Sequence, residues 1–126
     1  MILKLIIVLA HLQAILIPIF LGIKSINKFK YIKDSKFISW GFVSLGLASM
    51  FEMIDHTQTK WVYIDHSSLF NWLFYSFLSI GLTFLSISVI KNKYLLLINL
   101  LTCILAIISY WIFGKSFTLV FQVLIS

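Results

Sequence analysis

The sequence predicts an all-α integral membrane protein, a bundle of four helices that each cross the bilayer. The chain is 61% hydrophobic and only 11% charged, which is far from the composition of a soluble domain. Its apolar residues form four long runs, and the charges lie in short clusters between them. We therefore expect a single transmembrane domain over residues 1–126, with the lipid bilayer as its solvent.

Each run has the length of a membrane-spanning helix, because about 20 residues cross the ~30 Å hydrocarbon layer. The second run is the shortest, and we expect its helix to end close to the headgroups. A further apolar piece, 117–125, is too short to span, and we expect it to lie in the interface or to be the stub of a fifth helix. The four predicted helices cover residues 5–23, 37–54, 69–90 and 95–113.

Small and polar side chains recur at steps of three or four along each run, which places them on one helix face. Transmembrane helices pack through such faces, so we expect a closed bundle. In chain order the four faces are His11, Ala14, Pro18 and Gly22; Gly41, Ser44, Ala48, Glu52 and Asp55; Ser68, Asn71, Tyr75, Ser79, Thr83 and Ser86; and Asn99, Thr102, Ala106 and Tyr110.

The ten cationic side chains are all lysines. Arginine supplies the bidentate contacts of nucleic-acid binding, so its absence argues against a nucleic-acid partner. Seven of the ten lysines lie between the first and second runs or between the third and fourth. The positive-inside rule then predicts a cytoplasmic loop from Lys24 to Lys36, with both termini and the loop from Asp55 to Ser68 outside.

Ionisable residues gather in the predicted outer half, where a metal site is one interpretation. Glu52, Asp55 and His56 lie within about one helical turn, and the loop after them returns with Asp65 and His66. Imidazole and carboxylate ligands suit a divalent transition metal such as Zn, Cu, Fe or Mn. The predicted ligands are Glu52, Asp55, His56 and His66, with His11 and Asp65 as further candidates.

The other interpretation of these residues is ordinary helix-end chemistry. Asp65 or Ser67 would then cap the third helix. Glu52 fits this interpretation least, because it lies inside an apolar run, where an isolated carboxylate costs about 2–3 kcal/mol or more. We expect Glu52 to be protonated or paired with one of four side chains, His11, His56, Tyr75 or Lys60. His11 alone is more often a polar core residue than a ligand.

Three functions fit the sequence, and it does not decide whether the protein is an enzyme. The first is an accessory or structural subunit of a membrane complex, with other membrane subunits or further copies of the chain as partners. A metal-dependent membrane enzyme and a small transporter or ion-conducting subunit are the alternatives. No specific motif favours either alternative, so the subunit is the leading interpretation.

The lysine distribution predicts a definite pattern of cysteine labelling in intact cells. In a Cys103→Ser background, we expect Thr59→Cys to react with a membrane-impermeant thiol reagent added outside. We expect Lys30→Cys to be protected until the membrane is made permeable. Labelling of position 30 from outside without labelling of position 59 would contradict this orientation.

Overall fold

The computed structural model describes residues 2–28, 35–58 and 68–113, without the side chains of Asn27, Tyr110, Trp111 and Phe113. These residues form four α-helices, which confirms the predicted all-helical membrane fold. The segment 117–125 lies outside the described residues. The helices are α1 (Ile2–Lys28), α2 (Ser35–Gln58), α3 (Leu69–Val89) and α4 (Lys93–Phe113).

Three helices, α1, α2 and α3, are long and apolar enough to cross a membrane. In α4 the stretch with described side chains, Lys93–Ser109, is apolar but shorter, so the fourth span stays a prediction. The first two helices, with 27 and 24 residues, are longer than the runs that predicted them. An apolar run marks only the part inside hydrocarbon, whereas backbone hydrogen bonding continues into the headgroup layer.

The helices pack in chain order, as an open row among the described residues. Helix α1 packs on α2, α2 on α3, and α3 on α4, while α1 contacts neither α3 nor α4. The expected closure of the bundle is therefore not found in this part of the chain. The reason lies in α2, which carries small residues toward both of its neighbours.

Backbone contact at two glycines sets the seam between α1 and α2. A Cβ added at Gly22 would lie 2.9 Å from the Ser39 carbonyl oxygen, and one added at Gly46 would lie 2.9 Å from that of Ile15. The Gly22 carbonyl also accepts hydrogen bonds of 2.7 Å from the Ser39 and Ser25 hydroxyls. Small residues and interhelical hydroxyl bonds are the usual means of helix association in lipid.

The seam between α2 and α3 rests on a reciprocal glycine pair. A Cβ on Gly41 would lie 3.1 Å from the Gly81 oxygen, and a Cβ on Gly81 would lie 3.0 Å from the Gly41 oxygen. Ser44 and Ala48 continue the same small-residue face of α2 and are 5% and 1% exposed. The prediction that this face packs against other helices is confirmed.

Helix α4 joins the row through aromatic side chains of α3. The Trp72 indole Nε1 donates a 3.0 Å hydrogen bond to the Ile107 carbonyl. Ala106, which is fully buried, packs against Trp72 and Tyr75. This contact is smaller than the two glycine seams, so α4 is the least firmly held of the described helices.

Overpacking of the α2 face tests this arrangement. Ala48→Leu inserts a large side chain where no space is left, and we expect it to destabilise the protein by about 1–3 kcal/mol. Ala14→Leu is the matched control, because Ala14 is exposed and the change in helix propensity is the same. Unfolding in detergent, followed by circular dichroism, measures both variants. Equal stability of the two variants would mean that Ala48 does not face a neighbouring helix.

Candidate functional site

A cluster of three possible metal ligands lies between α1 and α2. It consists of His11 from α1 and Glu52 and His56 from α2, whose donor atoms all lie within 4.8 Å of one another. Glu52 and His56 are four residues apart and therefore share a helix face. His11 comes from the opposing helix at the same level. The three side chains are half-buried.

A hydrogen bond to the backbone orients the imidazole of His11. Its Nδ1 lies 2.8 Å from the carbonyl oxygen of Ile7, one turn earlier in α1. A carbonyl only accepts hydrogen bonds, so Nδ1 carries the hydrogen and Nε2 is the atom turned to the cluster. A metal-binding histidine commonly has the same arrangement, with its second nitrogen bonded to a backbone carbonyl.

The Glu52 carboxylate lies next to this imidazole. The Nε2 atom of His11 is 3.6 Å from Oε2 of Glu52, and the two side chains are 14% and 27% exposed. This contact places His11, one of the four side chains expected to pair with Glu52, beside the Glu52 carboxylate.

The second imidazole of the cluster, that of His56, contacts the first. The His56 ring meets the His11 ring edge to face, with centroids 5.1 Å apart and planes at 77°. Beside them lies an open depression of about 220 Å³, lined by Ala10, His11, Ala14 and Glu52. The depression leaves the side chains of His11 and Glu52 partly uncovered by the described helices.

Asp55 has a different position from the one predicted for it. The residue is buried, 1% exposed, and its carboxylate accepts a hydrogen bond from the Ser68 hydroxyl. Ser68 is the N-cap of α3, since its oxygen accepts the backbone N–H of Asn71 at 2.9 Å. The cap is thus Ser68 rather than Asp65 or Ser67, and Asp55 joins the end of α2 to the start of α3.

Two other predicted residues, Asp65 and His66, lie outside the described residues. The structure, unlike the sequence, shows at which level of the membrane His11 lies relative to Glu52. His11 lies 17 residues before the end of α1, and Glu52 lies 17 residues after the start of α2. In an antiparallel pair this spacing places both side chains at one depth. This match depends on the observed helix ends, because the predicted runs 5–23 and 37–54 give 12 and 15 residues instead.

Comparison with known proteins gives a family for the chain. Residues 3–125 match the model of the family 7TM_cyano, which is described as seven transmembrane receptor. The chain belongs to this family. Membership of the seven transmembrane receptor family agrees with the apolar helices and shows an integral membrane protein in contact with the lipid bilayer. The family description counts seven helices, and the described part of this chain contains four. Neither the curated proteins nor the solved structures gave a match.

Proposed function

We propose that this membrane protein binds a divalent transition-metal ion between α1 and α2, through His11, Glu52 and His56. The observation that carries the proposal is the contact between Nε2 of His11 and the Glu52 carboxylate. With Nδ1 donating to the Ile7 carbonyl, a neutral His11 turns the Nε2 lone pair toward an acceptor oxygen 3.6 Å away. Two acceptors at that distance repel each other, and a cation between or beside them removes this repulsion.

A proton is the alternative to a metal in this position, because protonated His11 would form an ion pair with Glu52. The third donor favours the metal. Ligands about 2.1 Å from a tetrahedral ion are roughly 3.4 Å apart, and the three donor atoms already lie within 4.8 Å. Small side-chain rotations therefore suffice to bring the three donor atoms to the spacing of metal ligands. An ion pair would use only His11 and Glu52, whereas a metal ion would use His56 as well.

The proposed donor set also indicates the kind of site. Two imidazoles and one carboxylate suit zinc, copper, iron or manganese. Three protein ligands leave a coordination position open, and the depression beside His11 and Glu52 gives access to it. The family description as a receptor supports binding of a ligand rather than catalysis. With the orientation inferred from the lysines, the site lies in the outer half of the membrane.

Metal binding to the purified protein tests the proposal. We expect about one Zn²⁺ per chain by elemental analysis, together with a rise in melting temperature on adding Zn²⁺. Loss of a group that only orients a metal ligand weakens metal binding roughly 10–100-fold. Loss of a ligand itself, in His11→Ala, Glu52→Gln or His56→Ala, should therefore weaken Zn²⁺ binding more than about 100-fold. The sequence also predicts His66 as a ligand. If His66 is a fourth ligand, His66→Ala should weaken Zn²⁺ binding as well.

Asp55→Asn is the matched control, since it removes a carboxylate of α2 that bonds to Ser68 instead. We expect it to lower stability by about 1 kcal/mol and to leave Zn²⁺ affinity unchanged. Circular dichroism confirms that each variant is folded. Absence of stoichiometric metal, or equal loss of Zn²⁺ in Asp55→Asn and Glu52→Gln, would contradict the proposed ligand set.

A second proposal concerns assembly, namely that the chain is a subunit of a larger membrane complex. Gln13 lies near the middle of α1, and its side chain is exposed. It precedes Gly22 by two and a half turns, so it points away from α2. An amide facing hydrocarbon is costly, whereas the same amide bonded to another transmembrane helix is stabilising. Gln13 therefore favours a partner helix, from a second copy or from another subunit.

Replacement of Gln13 tests the assembly. We expect Gln13→Leu to weaken self-association or partner association about threefold or more, the measured scale of an interhelical hydrogen bond in lipid. Gln58→Leu is the control, because Gln58 is an exposed glutamine at the end of α2. Analytical ultracentrifugation in detergent detects further copies, and cross-linking in native membranes detects other subunits. Identical behaviour of the two variants would contradict a contact at Gln13.

A further inference from the structure

Two apolar grooves flank the α1–α2 seam at the end where the chain passes from α1 to α2. At 100° per residue, the α1 residues of the two grooves fall on opposite sides of Gly22, which lies in the seam. One groove, of about 390 Å³, is lined by Ile23, Ile26, Lys36, Ser39, Trp40 and Val43. The other, of about 310 Å³, is lined by Leu21, Lys24, Ser25, Lys28 and Phe42.

Both grooves combine apolar walls with lysines close to the helix ends. Among the described residues that line them, none carries a carboxylate. The sequence from residue 24 to 36 holds five lysines and one acidic residue, Asp34, for a net charge of +4. The Lys24 ammonium lies 5.6 Å from the centroid of the Phe20 ring, so its stem follows the apolar surface of α1. The pattern is that of a site for an anion attached to hydrocarbon.

We propose that each groove binds one anionic phospholipid, with an acyl chain against the apolar wall and the phosphate at the lysines. Basic pockets between transmembrane helices recognise anionic headgroups in this way. Helix α1 has 27 residues and is therefore about 40 Å long, which exceeds the ~30 Å hydrocarbon thickness. Its last turns consequently reach the headgroup layer, where a phospholipid phosphate lies.

The apolar walls favour a lipid over a free phosphate ion. A soluble anion would gain only the contacts of exposed lysines and would leave the rest of each groove uncovered. A phospholipid covers the walls and neutralises the lysines together. Trp40, which lines the larger groove, is 61% exposed and suits the interface, where tryptophan is enriched beside headgroups.

These sites are distinct from the proposed metal cluster. Along α1, His11 lies about 20 Å from Lys24 and about 25 Å from Lys28. Lipid binding therefore does not depend on metal binding. Either proposal can fail without the other.

Lipid retention by the purified full-length protein tests the inference. Native mass spectrometry in a non-ionic detergent counts bound phosphatidylglycerol against phosphatidylcholine with the same acyl chains. We expect two tightly retained phosphatidylglycerol molecules and at least fivefold weaker retention of phosphatidylcholine. Lys36→Gln and Lys24→Gln should each weaken one of the two sites about fivefold, the effect expected of one lysine near a headgroup.

Lys4→Gln is the control, since Lys4 is an exposed lysine at the other end of α1 and the change in net charge is the same. We expect it to retain both lipids. Glycerol 3-phosphate, which has the headgroup chemistry without acyl chains, should not displace phosphatidylglycerol. Equal retention of the two lipids, an equal effect of Lys4→Gln, or displacement by glycerol 3-phosphate would each overturn the proposal.

Discussion

Close backbone contact between α2 and its two neighbours is the constraint on which the rest of this structure depends. Lipid supplies no hydrophobic force between helices, so they associate where small residues let backbones meet. Gly46 provides that contact toward α1 and Gly41 provides it toward α3. Since α1 cannot slide past α2 without a clash, the same seam fixes which residues face each other further along. The position of His11 opposite Glu52 is a consequence of this register.

Much of the fold could be predicted from the sequence, because hydrocarbon thickness leaves few choices for a chain with four long apolar runs. The helix ends were less predictable. A run ends where side chains become polar, whereas α2 continues through Asp55 and His56 to Gln58. The order in which the helices pack could not be predicted either. A stripe of small residues indicates that a helix face is covered, but it does not indicate which helix covers it. Gly41 and Gly46 lie on opposite sides of α2, and their partners are visible only in the structure.

The candidate site, like the fold, could be predicted from the sequence only in part. Glu52 and His56 follow from helical spacing alone, and the structure brings them together. Asp55, one residue before His56, satisfied the same spacing argument but bonds to Ser68 at the start of α3. Its partner belongs to another helix, so spacing within α2 could not reveal it. His11 joins the cluster through the antiparallel register of α1 and α2, which is again a tertiary property.

The cost of ionisable groups in a membrane favours a function for the cluster. Glu52 lies inside an apolar run, where an isolated carboxylate costs about 2–3 kcal/mol or more, and a carboxylate with two imidazoles at one level is more than the packing needs. The seams already close through glycine, serine and alanine, none of which is ionisable. The capping of α3 is performed by Ser68, with Asp55 as its partner. The glycine seams and the α3 cap do not involve His11, Glu52 or His56, which supports the proposal that these three residues bind a cation.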